Sequence, residues 1–371
     1  MAERLAFLLG KDPATSHGGD MTMFRVLRSI ASERFATEVI CLSEHADDPK
    51  GAHHELDIVR LRKPEISMPQ LAVRSLSRRR SLVHTRFDVD AVRDAVERST
   101  AQRFVAVHSY MAEPYLRAYR TQPGEDLLVS SEVSESSVWR STRGVLGRIE
   151  SRRLLRDELR VALAARALGG YDHAEVDVYR DAGVDARWLP VTLPPAIPVD
   201  VRRTPPRLVL LGNRTWRPNA DAAKSMLRLW PRIAADIPEA ELLLVGPTPG
   251  IETDLPPRVT DLGFVDDVDA VLARCRALVA PVTVGGGVRV KLLEAAARGL
   301  PVVGTAQAIG SIEAAIGMVP AADDDDFVAR CRTYLLDVDA AVEAGTRLHT
   351  SNAQRWSERI GQDAVIGWLS A

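Results

Sequence analysis

The stretch VTVGGGVRVKLLEAAARGLPVVGT, residues 282–305, decides the fold of this 371-residue chain. It continues from the apolar run ALVAPV, residues 277–282, which predicts a buried strand. Apolar residues then recur at 292, 293, 296 and 297, which predicts an amphipathic helix that ends at Gly299. A further apolar run, PVVGT, follows this helix. The strand, turn, helix and strand together predict a parallel α/β unit.

The glycines of this stretch occupy the turn between the strand and the helix. Without Cβ atoms, Gly285, Gly286 and Gly287 allow close approach of the backbone, and the free amides at the helix start favour an anion. Arg289 and Lys291 add positive charge. The chain has 48 basic residues but only five lysines, so arginine is its usual surface cation. A lysine in this turn, Lys291, is therefore unusual. The turn therefore predicts a phosphate site, although glycines alone are more typical of a purely structural turn.

Two other phosphate-binding motifs do not fit the turn. A dinucleotide fingerprint needs a third glycine where Val290 stands, and it normally follows the first strand of a domain. A P-loop needs G-K-[ST], which is missing here.

Composition and charge restrict the class of protein. The formal net charge of −2 argues against a nucleic-acid-binding protein. The cysteines, Cys41, Cys275 and Cys331, are too dispersed for a disulfide framework or a zinc site. The sequence shows neither a secretory leader nor an apolar run of membrane-spanning length, so a cytoplasmic location is expected.

Alternation of apolar strands and helices occurs twice along the chain. We expect a first Rossmann-like domain over 1–190, a proline-rich linker over 191–206 and a second Rossmann-like domain over 207–355. The remaining residues, 356–371, predict a helix that returns to the first domain. The fold class is thus α/β, with two doubly wound domains facing across a cleft. Ligands of such sheets bind at the carboxyl ends of the strands.

The segment GGGVRVKLLEAAARGLPVVGT resembles the nucleotide-binding segment of GT-B glycosyltransferases, particularly glycosyltransferase family 4. It follows the G-G-G-x-R-x-K-x-L-E-A variant. The resemblance implies that Glu294 binds the ribose, and that the amides of Gly286 and Gly287, with Arg289 or Lys291, bind the diphosphate. The first acid of the family's usual E-x7-E pair falls on Gly286 and is absent.

The resemblance extends to other segments of the second domain. RLVLLGNRTWRPNADAA is similar to the family's L-x-G-x-x-x-W-x-P-N-x-D-A, and it implies that Gly212 and Arg214 lie at the diphosphate. LLLVGPTP and LGFVDDV imply that Gly246, Phe264 and Val265 surround the base. A solvated Arg214 and a Phe264 buried in the core are the structural alternatives.

In the first domain, the resemblance implies that the loop at Gly18 and Gly19 approaches the donor diphosphate. The flanking His17 and Asp20 are less favoured as direct contacts. His108 follows an apolar strand, FVAV, and matches in position the family's histidine near the reacting sugar. A neutral imidazole there could bind the sugar and stabilise transition-state charge.

Several acidic and basic segments have two interpretations. Glu132 and Glu135 follow the next strand, where they could orient an acceptor hydroxyl, with helix capping slightly favoured. Three D-x-D patterns and one acidic run are read as helix starts, at 88–90, 267–269, 337–339 and 323–326. The group His53-His54-Glu55 is read as a loop. The basic segments at 74–81 and 139–160 favour a solvated helix face over a membrane contact, because acids interrupt the second one.

The resemblance to family 4 implies a retaining, metal-independent glycosyltransferase of the hexosyltransferase class that needs no cofactor. It would use a UDP- or GDP-linked sugar and a small-molecule, glycan or lipid acceptor. The predicted catalytic residues are His108, Arg214 and Lys291. A sugar-nucleotide 2-epimerase of the same fold and a noncatalytic sugar-nucleotide-binding protein are the alternatives.

Overall fold

The computed structural model describes residues 3–16, 18–44, 46, 57–119, 125–250 and 254–371. His17 and His53–Glu55 lie outside the described residues. The chain divides into two compact units. The first comprises Met1–Leu189 with Gln362–Ala371, and the second comprises Pro190–Gly361.

The first unit is built on a seven-stranded parallel sheet with the order β3-β2-β1-β4-β5-β6-β7. Its strands are β1 Arg4–Leu9, β2 Ala36–Ser43, β3 Ile58–Arg62, β4 Arg103–Ala106, β5 Leu127–Ser131, β6 Ala167–Gly170 and β7 Ala186–Trp188. Its helices are α1 Gly19–Ala31, α2 Met68–Ser77, α3 Leu82–Phe87, α4 Asp90–Arg98, α5 Glu113–Ala118, α6 Glu135–Thr142, α7 Gly144–Ala164 and α8 His173–Asp181.

The second unit is built on a five-stranded parallel sheet with the order β10-β9-β8-β11-β12. Its strands are β8 Arg207–Leu211, β9 Glu241–Val245, β10 Val259–Gly263, β11 Ala277–Ala280 and β12 Val302–Gly304. Its helices are α9 Arg217–Ile233, α10 Val268–Leu272, α11 Val290–Ala297, α12 Ala306–Ile309, α13 Ile312–Ile316, α14 Asp324–Leu336 and α15 Val338–Ser357. The last helix of the chain, α16, spans Ile360–Leu369.

Both sheets are covered on two faces, as continuous apolar strands require. In the first unit, the rings of Phe7 on β1 and Phe24 on α1 meet edge to face at 5.3 Å. Trp368 of α16 is buried against Gly169, where a Cβ atom would lie 2.9 Å from the indole ring. The end of the chain therefore completes the core of the first unit.

The proline-rich segment 190–206 lies against the second unit. Its prolines keep it extended, but the amides of Ala196 and Val199 donate to the carbonyls of Ala297 and Arg298 at 2.9 and 2.8 Å. The last carbonyls of a helix lack partners within the helix, and here the carbonyls at the end of α11 accept these two hydrogen bonds. The sequence predicted a proline-rich linker here, and the structure shows that its backbone is hydrogen-bonded to the end of α11.

All four acidic segments lie at the start of a helix, as predicted, and in three of them an aspartate caps that helix. Asp267, Asp337 and Asp323 each accept an amide hydrogen bond at the start of a helix, at 2.9 to 3.0 Å. Asp88 differs, because its carboxylate pairs with Arg117 at 2.7 Å. Within the described part of the chain, every helix is too short or too polar to span a bilayer.

The strand order reverses between β1 and β4 in the first sheet and between β8 and β11 in the second. Doubly wound sheets bind ligands outside the carboxyl ends of the strands at such reversals. The predicted class of two parallel α/β domains is confirmed. The order of the strands also indicates that the loops after β1, β4, β8 and β11 carry the functional residues.

Candidate active site

The loop between β11 and α11 is the glycine turn that the sequence predicts. Gly285 and Gly287 have φ values of +146° and +73°, which side chains other than glycine rarely adopt. The side-chain Nε2 of Gln307 donates to the Gly285 carbonyl and holds the turn from the side. The turn leads directly into α11 at Val290.

Arg289 braces this turn from within. Its Nε and Nη2 donate to the carbonyls of Ala308 and Gln307, each at 3.2 Å, and its Nη1 donates to the Gly287 carbonyl. A direct bond to a diphosphate would compete with these contacts. The structure therefore favours a positioning role for Arg289 over the predicted diphosphate contact.

Lys291 lies on the first turn of α11 and is held by a residue of α9. Its Nζ donates to Asn219 Oδ1 at 2.9 Å, and Asn219 Nδ2 donates to the Asn213 carbonyl at 3.0 Å. The amide of Asn219 packs over Gly212, where a Cβ atom would lie 2.8 Å from the amide carbon. Burial lowers the pKa of Lys291 to about 8, and the nearby Glu294 carboxylate opposes this shift. The Lys291 ammonium thus lies beside the loops that follow β8 and β11.

Arg214, which was predicted to contact the diphosphate, pairs with a buried acid of its own unit. It is 4% exposed, and its guanidinium pairs with both carboxylate oxygens of Asp261, whose side chain is fully buried. Its Nη2 also donates to the Gly246 carbonyl at 3.1 Å. Asp261 neutralises the charge of Arg214. Through these contacts, Arg214 joins the ends of β8, β9 and β10. The alternative of a solvated arginine is wrong.

Close backbone contact explains the glycine at 246. Gly246 has a φ of +123°, and a Cβ atom there would lie 2.3 Å from the Gly212 carbonyl oxygen. Beyond β10, Phe264 is 58% exposed, so the interpretation of Phe264 as core is wrong. Val265 beside it is partly exposed. An exposed aromatic ring at a strand end is suited to packing against a nucleotide base.

A second cluster lies at the carboxyl ends of β4 and β5. These strands pair in parallel with Ala106 opposite Val129, which brings His108 and Glu132 together. The distance from His108 Nε2 to Glu132 Oε2 is 3.7 Å, and both carboxyl oxygens of Glu132 are buried without a hydrogen-bond partner among the described residues. Lys11 and Asp20 form an ion pair of 2.5 Å at the adjoining end of β1. Gly18, with a φ of +127°, precedes α1 at this end.

Burial shifts the acid-base groups of this cluster toward their neutral forms. It lowers the pKa of His108 to about 4, against the opposing charge of Asp20. It raises the pKa of Glu132 well above the ordinary value, and Asp20 adds to this. Burial and Glu158 raise the pKa of Glu135 to about 7. A neutral imidazole and a neutral carboxyl group at neutral pH can both exchange hydrogen bonds with hydroxyl groups.

Helix capping does not explain the two acids. Ser134 is the cap of α6, because its hydroxyl accepts from the Ser137 amide at 3.3 Å. The slightly favoured interpretation of Glu132 and Glu135 as caps is therefore wrong. The residues that sequence reasoning missed are Asn219, Asp261 and Lys11. Asn219 had a signal in the W-x-P-N segment, whereas nothing local marked the other two.

Comparisons with known proteins identify the class. Residues 205–337 match the family model described as glycosyl transferases group 1. Among solved structures, sucrose-phosphate synthase from Thermosynechococcus elongatus superimposes with a TM-score of 0.74 at 17% identity, over 99% of this chain and 98% of that chain. Anabaena Alr3699/HepE, solved in complex with UDP and glucose, superimposes with a TM-score of 0.67 at 14% identity, over 100% of both chains.

A third similar structure is WaaG, a glycosyltransferase involved in lipopolysaccharide biosynthesis. It superimposes with a TM-score of 0.66 at 15% identity, over 97% of this chain and 98% of that chain. No curated protein sequence matches the chain significantly. The structural matches show the GT-B fold, and residues 205–337 are similar to glycosyl transferases group 1. The predictions of this fold and of a glycosyltransferase are thereby confirmed.

Proposed function

We propose that the protein is a retaining, metal-independent hexosyltransferase that takes its sugar from a UDP-linked donor. The observation that carries the proposal is the β11–α11 turn, with its left-handed glycines, followed by Lys291 and Glu294 on α11. Solved structures of Anabaena Alr3699/HepE contain UDP and UDP-glucose, which supports a uridine nucleotide. Retention and independence of a metal and of any other cofactor rest on the resemblance to family 4.

On the donor side, we assign the diphosphate to the amides of Gly286 and Gly287 and to the Lys291 ammonium. Negative charge grows on the diphosphate as the glycosidic bond breaks, so a fixed cation stabilises the transition state more than the bound substrate. Glu294 lies one helical turn after Val290 and is assigned to the ribose hydroxyls. Phe264 and Val265 are assigned to the base.

On the acceptor side, we assign His108 to the sugar being transferred and Glu132 to the acceptor hydroxyl. Both oxygens of Glu132 lack a hydrogen-bond partner among the described residues, and a buried polar group without such a partner costs free energy. An incoming hydroxyl group would satisfy it. Glu135, whose pKa is raised to about 7, could take up the acceptor proton at neutral pH.

A thermal-shift screen with UDP, GDP, dTDP and ADP tests the donor. If the donor is linked to UDP, UDP should bind most tightly and give the largest stabilisation. A ligand at about 100 times its Kd adds about 2.7 kcal/mol to the free energy of unfolding. Glu294→Ala should remove the UDP shift, and Glu313→Ala, a change on another helix of the same unit, should not. Equal shifts in both variants would refute the placement of the nucleotide. Free epimerised sugar, or binding without turnover, would instead favour the 2-epimerase or a binding protein.

The pKa of Lys291 predicts how UDP affinity depends on pH. Lysine is positive below its pKa, so raising the pH through about 8 removes the attraction for the diphosphate. The Kd for UDP should then rise by up to about tenfold per pH unit. A Lys291→Arg variant stays charged, so this rise should vanish while any titration of the base itself remains. Calorimetric titrations from about pH 7 to about pH 9 measure the Kd for UDP. A wild-type Kd that stays constant over this range would contradict the assignment of Lys291 to the diphosphate.

A further inference from the structure

Two helices of the first unit expose apolar side chains that the sequence did not mark as surface. Six apolar residues are between 58% and 80% exposed on α2 and on the start of α7: Met68, Val73, Leu76, Val145, Leu146 and Ile149. We call them the α2–α7 patch. The two helices touch, because Arg153 of α7 donates to the carbonyl and hydroxyl oxygens of Ser75 on α2, at 3.2 and 2.8 Å. Exposed apolar groups carried on neighbouring elements are typical of an interaction surface.

Several exposed arginines lie on the helices of the α2–α7 patch and on the adjoining α6, and they have no acidic partner among the described residues. No described residue forms an ion pair or side-chain hydrogen bond with the guanidinium groups of five exposed arginines on α2, α6 and α7 or directly after α2: Arg74, Arg79, Arg140, Arg148 and Arg152. The chain as a whole has a net charge of −2, so this positive charge is local. Its natural complement is a negative surface that also accepts apolar side chains.

The acids that interrupt the basic segment of α7 do not neutralise this surface. Glu150, Asp157 and Glu158 are all buried. Glu150 and Asp157 accept the amides of Leu82 and Ser81. The acidic positions therefore face inward and attach α3 to α7, while the arginines and apolar residues remain outside. The sequence favoured a solvated helix face because acids interrupt this basic segment. Since these acids are buried, that reason no longer holds.

We propose that the α2–α7 patch docks the protein on an anionic phospholipid bilayer, without spanning it. Apolar side chains enter the interface between headgroups and acyl chains, and arginines pair with lipid phosphates. The patch lies on helices that follow β3 and β5, and α6 begins three residues after Glu132. Docking would thus place the acceptor side of the first unit near the membrane surface. This inference does not depend on the proposed donor.

Sedimentation with phosphatidylcholine vesicles, with and without phosphatidylglycerol, tests the proposal. We expect the full chain to bind the anionic vesicles, to leave them as NaCl is raised, and not to bind phosphatidylcholine alone. The double variant Arg148→Glu/Arg152→Glu should bind at least about tenfold more weakly. The matched control Arg98→Glu/Arg166→Glu carries the same charge change on exposed arginines before β4 and β6, and it should bind as the wild type does.

The apolar contribution has its own pair of variants on one helix. Leu146→Gln should weaken binding, whereas Leu163→Gln, also at an exposed position of α7, should not. Melting curves of every variant check that the fold is kept. Absence of wild-type binding to anionic vesicles, or equal loss in the patch and control variants, would overturn the proposal. Concentration-dependent dimers that Leu146→Gln abolishes, without vesicle binding, would show that the patch joins two copies of the chain instead.

Discussion

Replacing Lys291 by alanine is expected to lower kcat/KM for sugar transfer by about 10²- to 10³-fold, the usual effect of losing one fixed charge at a developing anion. The ammonium is the cation of the turn that is not committed to backbone carbonyls, unlike Arg289. Its partner, Asn219, is neutral, so the positive charge remains available to a diphosphate. The rate of UDP release from UDP-hexoses measures the effect.

Lys224 provides a matched control for this variant. It lies exposed on α9 of the same unit, and it is one of only five lysines in the chain. Lys224→Ala should keep full activity. Equal activities of the two variants would remove Lys291 from the mechanism, while melting temperatures close to the wild-type value would show that neither change disturbs the fold.

Replacing Asp261 by asparagine is expected to destabilise the full chain by about 3 to 5 kcal/mol, because it leaves the Arg214 charge buried without its counter-ion. Both side chains of this pair are almost completely buried. The pair also fixes the ends of β8, β9 and β10, so UDP affinity should fall in the same variant. Urea unfolding and a UDP titration measure the two effects.

The exposed pair of Arg217 and Asp221 is the control for that measurement. Its ions are 2.7 Å apart, but the side chains are 62% and 37% exposed. Because solvent screens such pairs, Asp221→Asn should cost less than about 1 kcal/mol. Equal losses of stability in the two aspartate variants would contradict the bracing role of the buried pair.

The glycine turn and its helix could be predicted because local sequence determines them. The buried strand, the glycines with positive φ and the end of α11 at Gly299 all depend on residues within one short segment. The same holds for Asp267 and Asp337, each of which caps the helix that follows it. Alternation of apolar strands and helices was likewise enough to predict both sheets.

Contacts between distant segments could not be predicted in the same way. Arg214 and Asp261 are 47 positions apart, and Lys291 and Asn219 are 72 apart. Arg214 at the end of β8 therefore indicated a ligand contact, although its partner is an acid on β10, two strands away in the sheet. The sequence also did not reveal that three acids of α7 are buried: Glu150, Asp157 and Glu158. Their positions follow one face of the helix, but their charge led to the expectation that solvent surrounds them.

Hydrogen exchange of the full chain with and without UDP tests the central claim most directly, that the β11–α11 turn holds the diphosphate of the donor. We expect UDP to slow exchange in peptides covering 283–294, with little change in peptides covering α13, Ile312–Ile316, of the same unit. In Lys291→Ala, the same UDP concentration should give much less protection. Strong UDP binding that leaves exchange across 283–294 unchanged would contradict the account.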